Sequence, residues 1–181
     1  MHDNQRQTHL GYLAGILDAD GCFMITKHSR KTPKIRKWNT LIERTATYMS
    51  TIKISMIEEE AVAFIQNEIG YGKYHLDGVR ISRPNSKPLY QWYLRGKKTI
   101  PFLKEIIPYL KVKRKRAEFL LQYMENVKDC PSPYHGLSDE ELNYRELSYV
   151  KMRELNGNKV AATTKPQRRV SVSDSLISIE I

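Results

Sequence analysis

Between Leu10 and Gly21 the chain carries a helix with two faces that demand different surroundings. Leu10, Leu13, Ile16 and Leu17 recur at helical spacing and form an apolar stripe, while Gly11, Ala14, Gly15 and Asp18 form a second face of small residues. Thr8 is placed to cap its start and Gly21 to end it. Stripping bulk from one helix face lets another helix approach with backbone near backbone. The segment therefore predicts a helix that fills a core with one side and meets a second helix with the other.

Beyond Gly21 the period changes to two. Cys22, Met24, Thr26 and His28 alternate with Phe23 and Ile25. After a turn near Thr32-Pro33-Lys34, Ala46, Tyr48, Ser50, Ile52 and Ile54 alternate with Thr45, Thr47, Met49, Thr51, Lys53 and Ser55. Glu58 to Ile69 returns to helical spacing, with Val62, Phe64, Ile65 and Ile69 on one side and Gly70 as its stop. A second strand pair is expected near Gly72–Ile81 and Leu89–Arg95, joined through Arg83-Pro84-Asn85-Ser86-Lys87-Pro88. Helices follow from Ile100 or Pro101 to Ile107, where Pro108 breaks the run, then from Lys113 to Val127, and from a Ser138 cap to about Leu155. The order helix-strand-strand, repeated and followed by helices, predicts an α+β fold: a four-stranded antiparallel sheet with helices on one face. Pro131-Ser132-Pro133 divides a core domain, residues 1–130, from a helical extension at 131–155 and an extended or flexible tail at 156–181.

Charge says what the uncovered sheet face is for. The 181 residues include 30 Lys and Arg against 20 Asp and Glu, a formal net charge of +10, the balance of a chain that meets a polyanion. Its distribution is patterned: Cys22 to Lys53 holds eight bases and one acid, Ile54 to Gly70 holds four acids and no base, and Tyr71 to Ile100 holds seven bases and one acid. Two basic strand pairs thus flank an acidic helix, and a basic β-type alternation disfavours the amphipathic basic helix of a membrane-surface protein. Cys22 and Cys130 are the only cysteines, which excludes a disulfide framework and a four-cysteine zinc site. No apolar run approaches a spanning helix and no signal pattern opens the chain. The expectation is an intracellular protein.

Leu13-Ala14-Gly15-Ile16-Leu17-Asp18-Ala19-Asp20-Gly21 resembles the signature of the LAGLIDADG homing endonucleases, with Ile16 in place of the second leucine and Leu17 in place of isoleucine. The resemblance implies that family's αββαββα fold over roughly residues 8–127. It also implies a homodimer in which two motif helices pack about a two-fold axis through Gly11, Ala14, Gly15 and Asp18, each half reading one half-site of double-stranded DNA. Symmetry would bring two copies of Asp20 together. A carboxylate pair at a DNA backbone needs a hard cation, so Asp20 is the expected Mg2+ ligand, assisted by the backbone carbonyl of Ala19; Ca2+ is expected to support binding without cleavage. Asp18 is expected to buttress the helix end.

Single-motif members also carry a lysine after a Pro-aromatic-Leu-Lys-apolar run. Here that run is Pro108-Tyr109-Leu110-Lys111-Val112 and the lysine is Lys113, implied to stabilise charge at the scissile phosphate. The family's polar residue at the end of the second strand falls near Ser55, with Lys53 as the alternative; its usual basic residue shortly after falls on Glu58, a departure. For target reading the candidates are Met24, Thr26, His28 and Arg30; Thr45, Thr47, Met49, Thr51 and Lys53; Lys73, His75 and Asp77; Gln91, Tyr93 and Arg95; and Lys115 for phosphate. The expected activity is site-specific, metal-dependent double-strand DNA cleavage. An intron-RNA-binding maturase and a catalytically silent DNA-binding regulator are the alternatives on the same fold.

Overall fold

The alternation builds one sheet. The computed structural model describes residues 2–28, 34–35, 41–42, 46–77, 87–129 and 137–158. In chain order its elements are α1 (His2–Asp20), β1 (Cys22–His28), β2 (Lys34–Ile35), β3 (Leu41–Ile42), β4 (Thr47–Met56), α2 (Glu59–Ile69), β5 (Lys73–Asp77), β6 (Leu89–Arg95), α3 (Thr99–Ile106), α4 (Arg114–Asn126) and α5 (Asp139–Leu155). The four long strands form an antiparallel sheet in the order β1-β4-β6-β5, and β2 pairs with β3 as a small separate ribbon within the first strand connection. The expected α+β architecture is therefore present, with the β2–β3 ribbon as an addition that the sequence reading had as a turn.

Register assigns every strand residue to a face. Phe23 lies opposite Ile52, and Ile52 opposite Leu94; Ile54 lies opposite Trp92. These side chains are buried against the helices together with Leu13, Ile16 and Leu17 of α1, Val62 and Ile65 of α2, Phe102, Leu103 and Ile106 of α3, and Leu120 and Tyr123 of α4. Each fully buried side chain of this size stabilises the fold by about 1.5–3 kcal/mol. The other face carries Met24, Thr26 and His28 of β1, Met49, Thr51, Lys53 and Ser55 of β4, Gln91, Tyr93 and Arg95 of β6, and Lys73, His75 and Asp77 of β5. It has no helix over it among the described residues.

Two glycines are required by close approach. A Cβ on Gly21 would lie 2.6 Å from the Leu17 carbonyl oxygen, so the helix can turn into β1 only through a glycine. Gly72 has φ +113°, and its missing Cβ would collide with the Trp92 indole. Gly70 ends α2 in the left-handed conformation and donates to the Gln66 carbonyl.

Two boundaries differ from the sequence reading. Helix α1 begins at His2, and Thr8 sits inside it with Oγ1 donating to the Asn4 carbonyl at 2.9 Å; Gln5, Arg6 and Gln7 are good helix formers that carry the helix upstream of Thr8, so the start does not fall there. Asn156, placed by sequence in the tail, closes α5, and its Nδ2 donates to the Phe23 carbonyl at 2.8 Å. Ser138 does cap α5, accepting from the Glu141 amide.

Helix α5 packs on β1 and α4, with Met152 in the main core. Its largely buried Glu146 accepts from Lys27 Nζ at 2.6 Å and from the Tyr48 hydroxyl. Burial, followed by the bond to Glu146, pushes the Tyr48 phenol well above its ordinary range. No helix among the described residues is long and apolar enough to cross a membrane.

Candidate nucleic-acid interface and catalytic end

The chemistry-bearing residues converge where α1 stops. Its last turn presents Asp18 and Asp20 in opposite roles. Asp18 Oδ2 accepts the amides of Lys111 at 2.7 Å and Val112 at 3.1 Å, and Oδ1 accepts that of Lys113 at 2.8 Å. Burial raises its pKa, but the three amide donors and the nearby Lys113 outweigh it and hold the carboxyl below its ordinary value. This carboxylate pins the segment before α4 onto the end of α1. Asp20, two residues on, is exposed and has no hydrogen-bond or ion-pair partner among the described residues.

Lys113 is brought back onto the same helix end. Its Nζ donates to the carbonyls of Leu17 at 3.1 Å, Ala19 at 2.8 Å and Gly21 at 2.8 Å. The ammonium's three donors thus neutralise three carbonyls at the negative pole of α1. Burial first, then repulsion by Arg116, lowers its pKa despite the attraction of Cys22, Asp18 and Asp20. The Ala19 carbonyl, implied as a metal ligand, therefore already faces a cation.

The sheet register brings the strand candidates to this end. Lys53 is the cross-strand partner of Cys22 and Ser55 that of Gln91, so Lys53 and Ser55 lie on the open face of β4 at the end where α1 passes into β1. Met24, Thr26, His28, Thr47, Met49, Lys53, Lys73, His75, Tyr93 and Arg95 lie on the open face, and Arg95 stacks its guanidinium 4.4 Å from the Tyr93 ring centroid. Lys115 is exposed on the first turn of α4. Arg30 and Thr45 lie outside the described residues.

Four candidates need correction. Ala14 is 1% exposed and belongs to the core; the bare stripe of α1 runs through Gly11 and Gly15 to Ala19, because successive turns place residues four apart on one face. A Cβ on Gly11 or Gly15 would meet nothing within 4 Å. Asp18 turns toward its own chain and is not free to face a second helix. Thr51, 2% exposed, lies beneath its longer cross-strand neighbours Met24 and Arg95 and bonds weakly to Thr26 at 3.5 Å. Gln91, 8% exposed, donates to Asp77 Oδ2 at 2.8 Å, so these two enter the face as a pair. Sequence reasoning missed Arg116, Arg153, Asn156 and Asn158, which line a cleft beside β1; they come from α4, from α5 and from the turn that follows α5, and no periodic signal marks them. Among the described residues no three His, Cys, Asp or Glu side chains group as metal ligands.

The family model for LAGLIDADG endonucleases matches residues 13–128. The fold is similar to that of the homing endonuclease I-CvuI, solved with an I-CreI target that is not cleaved in 2 mM Mg, at 21% identity over 87% of this chain and 88% of that one, with a TM-score of 0.63. It is also similar to the archaeal intron-encoded homing endonuclease I-Vdi141I, solved with DNA, at 15% identity over 96% and 93% of the two chains, TM-score 0.59. The chain spans 46% of the meganuclease I-AabMI, matched at 18% identity over 83% of its own length with a TM-score of 0.54. No curated protein sequence matches. With the family model covering the motif helix, the sheet and α4, the chain belongs to the LAGLIDADG endonuclease family.

Proposed function

We propose that the protein is a homodimeric, divalent-metal-dependent endonuclease that hydrolyses one phosphodiester on each strand of a long pseudo-palindromic DNA site. One observation carries the reading: the unpartnered Asp20 carboxylate stands at the end of a helix whose Gly11–Gly15 face lies bare in open space. A second copy packed on that face by two-fold symmetry sets two Asp20 carboxylates side by side. The uncovered basic sheet then extends as two half-saddles over a duplex.

The residues fit a hard cation. Asp20 is an oxygen donor with no competing partner, whereas the Ala19 carbonyl already accepts from the Lys113 ammonium at 2.8 Å and would offer a metal its second lone pair. Mg2+ held by these oxygens would polarise the scissile phosphate and lower the pKa of the attacking water. I-CvuI has been solved with its target in 2 mM Ca, and for this protein Ca2+ is expected to support binding alone. Lys113 holds the helix end and keeps a positive charge beside Asp20. Lys53 supplies a second cation across from Cys22, and the Ser55 hydroxyl is the group available to orient water. Water attacks directly, so no side chain forms a covalent bond to DNA. The protein acts inside the cell, in the compartment that holds its target.

The test is selection of duplexes from a random library in Ca2+, followed by Mg2+, with wild type and Asp20→Asn. A palindrome-like site cut on both strands by wild type, and bound but uncut by the variant, is the expected result. Selective binding without cleavage indicates the regulator, and a preference for structured intron RNA over every duplex indicates the maturase.

A further inference from the structure

A cleft of about 560 Å³ lies between β1, the start of α4 and the end of α5, and among the described residues no Asp or Glu lines it. Its polar walls include Lys113, Lys27, His28, Arg116, Arg153 and Asn158. Met24, Thr26 and His28 of the open face also line it, so it opens at the rim of the proposed DNA surface.

The basic residues around it fall into two groups. Lys27 is bound to Glu146, Arg145 to Glu141 and Arg114 to Glu118. Arg116 and Arg153, on the same two helices, have no acidic partner among the described residues. Arg116 is fixed through Nε, which donates to the Leu155 carbonyl at 3.0 Å, leaving both terminal nitrogens to the cleft. Arg153 is held with its guanidinium 5.9 Å from the Tyr149 ring centroid and Nη1 3.4 Å from the Tyr149 hydroxyl. Two pre-positioned guanidinium forks beside Lys113, with a neutral amide donor from Asn158 and no acid among the described lining residues, are a donor set that matches the oxygens of a phosphodiester.

We propose that this cleft is a backbone-phosphate site, in which Arg116 and Arg153 grip one phosphodiester of the DNA as its strand leaves the open face beside β1. The proposal rests on the endonuclease reading and gives α5 a part in it: the helix carries Arg153 and, through the Leu155 carbonyl, aims Arg116. It specifies position on the duplex and carries no base preference.

The test measures binding in Ca2+ to a duplex selected by the wild type, comparing Arg116→Gln, Arg153→Gln, the double variant and the ion-paired control Arg114→Gln. Each cleft variant is expected to bind about 5–10-fold more weakly at 0.1 M salt, equally on selected and scrambled duplexes, and the double variant to lower the salt slope by about 1.8, one phosphate from each half-site of the dimer. Arg114→Gln is expected to bind as wild type. A scan of single methylphosphonates should then find one position per half-site that weakens wild type and leaves the double variant unaffected. Circular dichroism checks that the variants fold; if Arg116→Gln does not, Arg153→Gln and Arg153→Lys decide, the lysine restoring part of the affinity. A double variant with wild-type affinity and slope, or a loss confined to particular base pairs, overturns the proposal. A wild type that binds no duplex overturns the nuclease reading and this proposal with it.

Discussion

The two edges of the sheet are finished in opposite ways. At the β1 edge the strand is fed by α1 through Gly21, tied to Asn156 by the Phe23 carbonyl and flanked by α5, whose Glu146 holds Lys27 and Tyr48. At the β5 edge Lys73, Tyr74, His75 and Leu76 are all exposed, Leu76 at 49% although it points to the core side of the sheet. The difference follows function. On the proposed reading the chemistry sits at the β1 end, where Asp18 and Lys113 tie the segment before α4 to the end of α1 beside Asp20, and catalysis is intolerant of small displacements. On the same reading the β5 edge offers base or phosphate contacts, which tolerate adjustment.

The sharpest way to separate the two edges is Asp20→Asn, expected to lower cleavage by at least about 10³-fold, equivalent to about 4 kcal/mol, with the urea midpoint unchanged because Asp20 has no partner to lose. A midpoint that drops with activity would show Asp20 to be structural. Glu146→Ala should cost about 2–3 kcal/mol in urea unfolding, since it leaves Lys27 and Tyr48 partly buried and unpaired; no change would mean that α5 does not secure β1. Asp18→Ala should cost about 2 kcal/mol by stranding three amides. The Asp18 pKa is lowered by folding, so its stabilisation is full above the ordinary value of 3.8 and is lost as pH falls through the lowered value. An acid titration of stability should therefore be flatter for Asp18→Asn than for wild type between those limits. Leu76→Thr, at the β5 edge, is expected to move stability by less than about 0.5 kcal/mol; a larger loss would show that edge to be covered in the folded protein.

Much of the fold was legible because it rests on local spacing. The period-two runs assign Phe23, Ile25, Ile52, Ile54, Trp92 and Leu94 to one face without reference to any partner, and Ser138, Gly70 and Pro108 mark helix ends by backbone chemistry alone. Ala14 was misassigned because small residues suit both a tight core contact and a bare interface, and composition cannot distinguish them. Thr51 failed for a related reason: facing the open side is a local property, whereas being covered by Met24 and Arg95 depends on which strands flank it.

The sequence by itself determined the motif helix, the basic sheet and the family, and it put Asp20 forward as the candidate metal ligand, since each is written in residues adjacent in the chain or in strict alternation. Tertiary structure alone decided that Asp18 would hold the amides of Lys111, Val112 and Lys113, that the Lys113 ammonium would cap the helix before Asp20, and that Arg116 and Arg153 would share a cleft. These contacts join segments nearly a hundred residues apart or on different helices. Their geometry is fixed by packing, which no local pattern encodes.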